Sequence, residues 1–574
     1  LQNKVEFTLP PQDLFLNPGQ DPGLTSLGPP AFLWRPRPPA RILGVNAVEN
    51  DQIAPRVDGL MTRALRHKRF SQAIEFATVP VQVAPAAFKK SYITVAGRGL
   101  LSGASGVRLL NRYVWDNDNR GEPGEDRLTA WFDRCQAENR SLFVREGRAD
   151  PDLPFAVECR NTFNYFHFLT ESLCQLCLLD EIGGDRPVFL HFPNQADKTR
   201  PFAFSFIQAL FPEHARRIRL ERSPKRYDRV LVPFNLMNSY YQTSDALMPS
   251  LDALAPRSGL WQGRHASRAS HGILQANAVD ASLYRLRDRA LAAIKGMDFS
   301  HLPRRFYAGR LPGQARNRAV RGEAELLDML ALFDIQPVAF ESLSPFEQIG
   351  LMANAELMVA PHGAGFANML FADPAATVVE LGTLQTGMYR WGDFWQLAHV
   401  SGARHVTVFA DFARPDPGVE PKFSVDGIVP VHLTRHGLAV LMSFLATLLG
   451  RIARYNRPAD VLRLARQMND AGLPDRTLAL LAAHPGVEAG QPDLLRALAA
   501  AHRALGDPLA ELAALEQARD AEPDNAFAAQ QVVWCAGKLG EPAALARALA
   551  VLQHRFPARW DEMMQSQPWL RRRA

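Results

Sequence analysis

Glu356-Leu-Met-Val-Ala360, then Pro361-His362-Gly363-Ala364-Gly365-Phe366, then Thr377-Val-Val-Glu380-Leu381 is the stretch on which the fold turns. An apolar run of strand length enters a turn of small residues, and a second apolar run ends in a carboxylate. Short buried runs bounded by glycine and proline read as strands of a parallel sheet. Upstream, Ser344-Pro345-Phe346-Glu347 is a capping box with proline at the first helical position, so a helix is expected from there to about Asn354. Arg305-Phe-Tyr-Ala-Gly309 and Pro337-Val-Ala-Phe340 read as further strands, with an amphipathic helix over Gly322–Phe333 between them. Strand and helix alternate in short steps, as in a Rossmann-like half.

Working outward, the same alternation recurs towards the N-terminus. A helix is expected over 165–180, strands at Val188–Phe192 and Arg229–Pro233, and helices at Pro201–Leu210 and Ala281–Lys295. Residues 1 to about 55, rich in Pro and Gly, read as an extended arm or irregular packing segment, and Phe76–Val83 and Ser91–Val95 as short strands. Towards the C-terminus the chain becomes rich in Ala and Leu and repeats itself. Gly472, Gly506 and Gly540 are 34 residues apart, and so are Pro474, Pro508 and Pro542. That is the tetratricopeptide period of paired helices, whose concave surface usually takes a protein partner. The expected division is an N-terminal arm with a small β segment (1–100), two Rossmann-like domains (101–300 and 301–455), and helical repeats (456–574).

Composition bounds the partners. A net charge of +6 on 574 residues, with 65 Lys+Arg against 59 Asp+Glu, does not describe a nucleic-acid binder. Five scattered cysteines argue against a disulfide framework and for a reducing compartment; Cys174 and Cys177 read as buried thiols. The longest apolar run, Leu438–Leu449, is shorter than the ~18–20 residues of a membrane span. Arginine and alanine usage points to a GC-rich bacterial coding sequence. The first residue is Leu1, so removal of a targeting segment stays open.

Four groups of residues carry candidate chemistry. The turn His362-Gly363-Ala364-Gly365 allows close backbone approach, and a helix starting near Phe366 would aim its N–H groups at an anion such as a diphosphate. Glu380, at a strand end, could accept ribose hydroxyls. Arg310, following a strand, could clamp phosphate oxygens among Arg305, Arg316, Arg318 and Arg321. In Asn164-Tyr-Phe-His167-Phe-Leu-Thr-Glu171, His167 and Glu171 share a helix face as an imidazole–carboxylate pair, and Asn164 suits an N-cap or a sugar contact. A core helix, a capped turn and solvated arginines are the plain alternatives. Asp116-Asn117-Asp118 after Tyr113-Val-Trp115 is a D-x-D that could bind a divalent metal.

Taken in order, Asn164-x-x-His167-x-x-x-Glu171, the strand with Arg310, Glu323-x-Glu325-Leu326-Leu327, Leu343-Ser344-x-x-Glu347-Gln348, Pro361-His362-Gly-Ala-Gly365-Phe-x-Asn368 and Val379-Glu380-Leu381 resemble glycosyltransferase family 61 over about 155–385. The resemblance implies an α/β fold of GT-B type, with two Rossmann-like domains facing a cleft. It also implies inversion at the anomeric carbon, no cofactor and no essential metal. Its relatives transfer N-acetylglucosamine or pentoses, and bacterial ones are linked to capsule or exopolysaccharide synthesis. Two positions depart from the pattern: Gly309 precedes Arg310 where serine is usual, and Gly322 stands for asparagine.

The expectation is therefore an inverting transferase with a nucleotide-sugar donor, a UDP-sugar by family, and a glycan acceptor. Arg310, His362, Gly363, Ala364, Gly365, Asn368 and Glu380 would hold the donor. His167 and Glu171 would form the catalytic pair, with Asn164 on the acceptor side. The expected location is cytoplasmic, peripheral at the inner membrane. The rivals are a non-catalytic repeat scaffold with a degenerate transferase domain, a metal-dependent GT-A enzyme using the D-x-D, and a metal hydrolase using His167 and Glu171.

Overall fold

The computed structural model describes residues 9–572 except 29, 33, 67–69, 71–72, 90–91, 119–130, 132–133, 136–149, 151, 161–163, 193–200, 236, 238–276, 311–319, 417 and 450–456. Arg316 and Arg318 lie outside the described residues.

Two largely parallel sheets form the α/β part. The first has six strands in the order Leu24–Ser26, Thr78–Val83, Val230–Asn235, Phe155–Glu158, Val188–Phe192 and Ile218–Arg222. The last four run parallel, and the first two are antiparallel additions. The second has seven strands. Gln336–Ala339, Arg305–Gly309, Leu357–Pro361, Thr377–Thr383 and Arg404–Phe412 follow one another, and Ile42–Asn46 and Val431–His432 both pair with Arg404–Phe412. Every residue of Thr377–Thr383 is buried, as a central parallel strand covered on both faces requires. A three-stranded and a four-stranded sheet complete the β structure.

The proline-rich arm is not irregular. Leu24–Ser26 joins the first sheet, Trp34–Arg37 the three-stranded sheet and Ile42–Asn46 the second large sheet. A boundary near residue 100 therefore cuts through sheets rather than between them, because non-local pairing satisfies the arm's backbone groups. One apolar core also runs from the first half to the second, through Phe168, Leu173 and Leu176, Leu283 and Leu286 of the helix Ala281–Ala293, and Phe366, Leu370 and Phe394.

The tail forms helical pairs: Pro458–Asp470 with Pro474–Ala483, Pro492–Leu505 with Pro508–Ala521, and Ala526–Leu539 with Pro542–Arg555, followed by Pro557–Ser566. Gly472, Gly506 and Gly540 each adopt positive φ (75°, 74° and 74°) between paired helices, the conformation that glycine reaches without a Cβ clash. Val461, Leu464, Leu480 and Leu494 share a core with Leu438 and Leu441, and with Val359 of the second sheet. The first helices of the tail are thus packed against the α/β part. No helix among the described residues is long and apolar enough to cross a membrane.

Candidate functional site

The strand Leu357–Pro361 delivers His362 to a sheet end. The register Ala360–Glu380 and the bond from His362 N–H to the Leu381 carbonyl (3.0 Å) place His362 beside Glu380. His362 Nδ1 donates to Glu380 Oε1. The other carboxylate oxygen accepts from Thr407 Oγ1 (3.2 Å) and lies 3.2 Å from His405 Nε2. Glu380 is 0% exposed. Burial pushes its carboxyl up, but the bonds and charges of His362 and His405 outweigh that and bring it down to about 2. The reading of Glu380 as a ribose acceptor is therefore corrected: both oxygens are committed inside the protein, and the residue orients His362. Glu380→Ala should cost about 3–5 kcal/mol at neutral pH, because it leaves buried polar partners uncompensated. A depressed carboxyl stabilises above its unfolded value of about 4.5, and this contribution fades as pH falls through about 2. Urea unfolding of the variant and the native chain should accordingly converge in strong acid.

Arg310 reaches the same turn. A Cβ built on Gly363 would lie 3.1 Å from Arg310 Nη2, so the guanidinium sits against the glycine. Gly363 itself is extended, and the space taken by Arg310, not φ, is what favours glycine there. The following element is a tight 3₁₀ helix, Ala364–Phe371, starting two residues before the expected Phe366. Ala364 and Gly365 are half-buried at its start. Asn368 is fully buried; it accepts from Tyr165 Oη at 2.6 Å and donates to Gln348 at 3.3 Å. Its expected donor contact gives way to a bridge between the halves. Arg305 is a structural partner of Glu356 (2.9 and 2.7 Å).

From the first half, Asn164 caps the segment, its Oδ1 accepting from His167 N–H at 3.3 Å. The single helix expected over 165–180 is instead an α turn (Tyr165–His167), a wider π turn (Phe168–Ser172), a 3₁₀ stretch (Leu173–Leu178) and a final α turn (Leu179–Ile182). Thr170 Oγ1 bonds back to the Phe166 carbonyl (2.7 Å), and Ser172 Oγ to the Glu158 carbonyl (3.2 Å). Such competing side-chain bonds disturb a regular helix, and π turns recur at functional sites. His167 still meets Glu171, with Nδ1 donating to Oε1 at 2.6 Å and 21% of the His167 side chain exposed. Cys174 and Cys177 are buried thiols pushed upward by burial.

Phe394 joins the two halves. Its ring stacks on Phe366 (4.7 Å) and lies 5.0 Å from His362 and 5.5 Å from Phe166, the neighbour of His167. Beside it, Asp393 feels the charges of Arg390, His362, Glu380 and His167, and burial raises its carboxyl. Phe394 and Asp393 thus link the turn of His362 to the segment of His167. Residues 165–379 match the family model Glycosyltransferase 61. No curated protein matches the chain. The glycosyltransferase 61 segment contains His167, Glu171, Arg310, His362, Gly363, Ala364, Gly365 and Asn368, whereas Asn164 and Glu380 lie just outside it. The match supports a glycosyltransferase, which binds a sugar donor and an acceptor.

Several site residues escaped the sequence reading: Arg108, Glu158, Arg160, Arg390, Asp393, His405 and Thr407. Only Glu158 carries a usable signal, a carboxylate at the end of a parallel strand. Asp116-Asn117-Asp118 belongs to the helix Gly103–Asp118, not to a loop after a strand. Among the described residues, Asp180, Glu213 and His214 come within metal-ligand reach of one another, but Arg289 bonds both carboxylates (2.8 and 2.7 Å).

Proposed function

We propose that the chain is an inverting, metal-independent glycosyltransferase of GT-B type. It moves a hexosyl or pentosyl group from a UDP-sugar to a glycan acceptor in bacterial capsule or exopolysaccharide synthesis. The observation that supports this reading is that the Phe394 ring lies between His362 of the glycine turn and Phe166, the neighbour of His167, with Arg310 against Gly363 on the one side and His167 bonded to Glu171 on the other. An acceptor hydroxyl attacks the anomeric carbon from the face opposite the diphosphate. Its proton passes to His167 Nε2, since the carboxylate of Glu171 only accepts and so fixes Nδ1 as the donor. The anomeric C–O bond breaks with its electron pair going to the diphosphate. Arg310, His362 and the amides of Ala364 and Gly365 stabilise the growing charge. The helical pairs are read as tetratricopeptide-like repeats that offer a surface to a protein partner, and the enzyme as cytoplasmic, peripheral at the inner membrane.

A thermal-shift panel of nucleoside diphosphates and UDP-sugars tests the donor side. UDP at about 100 times its Kd should add about 2.7 kcal/mol to folded-state stability, with or without EDTA. A flat response to every nucleotide, or a shift that chelation abolishes, contradicts the reading.

A further inference from the structure

We propose that Arg108 and Glu158 are positioning residues of the proton-accepting pair, a guanidinium gripped by two carboxylates that holds Glu171 in place behind His167. The inference rests on the reading of His167 and Glu171 as that pair. The chain of contacts is continuous. Arg108 Nη1 donates to Glu171 Oε2 at 2.8 Å and Nη2 to Glu158 Oε2 at 2.5 Å, while Glu171 Oε1 accepts from His167 Nδ1 at 2.6 Å. Both Glu171 oxygens are thereby fixed in direction, and with them the imidazole. The three elements involved are the helix Gly103–Asp118, the strand Phe155–Glu158 and the turn carrying His167 and Glu171. Arg108 and Glu158 lie outside the glycosyltransferase 61 segment.

Charge explains the need for both acids. Burial pushes Glu158 up to about 8, against the pull of Arg108 and with help from Glu171. Burial also raises Glu171, but the bond and charge of His167 and the charges of Arg108 and Arg160 outweigh it and hold Glu171 below the usual range. Burial thus favours the protonated form of Glu158, while the bond and charges around Glu171 favour its anion beside Arg108. Arg160, from the loop after the strand, feels Glu171, Arg108, Arg390 and Glu158, and Asp393 feels His167, so these complete the ring of charges around the pair. Glu158 Oε1 has no partner among the described residues, so the Glu158 carboxyl acts through its Oε2 contact with Arg108. A buried ion pair is weak evidence for stability alone, which favours a geometric role.

The test uses the full chain and the variants Arg108→Met, Arg108→Lys and Glu158→Gln. Hydrolysis of UDP-N-acetylglucosamine is followed against pH, and thermal unfolding over the same range. Arg108→Met should lower kcat about tenfold or more, leave the donor KM within about twofold, and move the acid limb to higher pH. Arg108→Lys should recover part of kcat. A carboxyl raised in the folded state stabilises fully below its unfolded value, and this is lost as pH rises through its folded value. Relative to the native chain, Glu158→Gln should therefore gain in Tm as pH rises from about 5 to about 8. Lower Tm in Arg108→Met with unchanged limbs and unchanged kcat-to-KM balance would overturn the proposal, leaving a structural pair. If the native chain turns over no donor, the transferase reading takes the damage and the unfolding curves still decide. An acid-side Tm fall moved to higher pH in Arg108→Met supports the proposal, and superimposable curves overturn it.

Discussion

His167→Ala is expected to lower kcat by about 10²–10⁴-fold, the usual worth of a positioned general base. The loss should fall on kcat, with the donor KM nearly unchanged, because His167 belongs to the first half while the turn proposed to hold the diphosphate belongs to the second. Its Nδ1 is occupied by Glu171 at 2.6 Å, so the catalytic proton has one ring nitrogen to go to. Steady-state kinetics with the donor varied at a fixed acceptor concentration checks this. A fall in kcat/KM that comes entirely from KM would place His167 among binding residues. Glu171→Gln should resemble the alanine variant more closely than a distant surface change, since it removes the anion that orients the ring and balances its charge.

Arg310→Ala should cost about 10²–10³-fold in kcat/KM, the range for loss of one preorganised donor to a developing anion. The guanidinium rests on Gly363, where a Cβ would lie 3.1 Å from Nη2. Arg310→Lys should rescue only part, because a single ammonium cannot reproduce the planar two-pronged grip on phosphate oxygens. UDP binding by calorimetry separates the two effects. Loss of kcat/KM with much smaller loss of UDP affinity locates the contribution in the transition state. Equal losses locate it in ground-state binding.

The second half was legible because its signals are local. Ser344 and Glu347 do form a reciprocal capping box, and Pro345 does open the helix Pro345–Ala353. The strand at Leu357–Pro361 falls within a residue of its apolar run. The 34-residue spacing of Gly472, Gly506 and Gly540 marks real breaks between helices, because each glycine takes a positive φ. What stayed hidden is non-local. Ile42–Asn46 reads as part of an irregular arm, yet it pairs with Arg404–Phe412 some 360 residues away. Arg108, Glu158 and Glu171 look unrelated along the chain, since their contacts span separations of 50 and 63 residues. Glu380 was found but given the wrong task, because a strand-end carboxylate looks the same in sequence whether solvent or two histidines face it. The π turn at Phe168–Ser172 was missed because the apolar pattern there fits a regular helix equally well.

The proposed transfer requires one site built from both halves, with a diphosphate on the glycine turn opposite the His167–Glu171 pair. A crystal structure of the full chain with bound UDP tests that most directly. The diphosphate should lie on the amides of Ala364 and Gly365, within hydrogen-bond reach of Arg310, with its terminal phosphate turned towards His167. UDP bound elsewhere, or on this turn with its diphosphate directed away from His167, would contradict it.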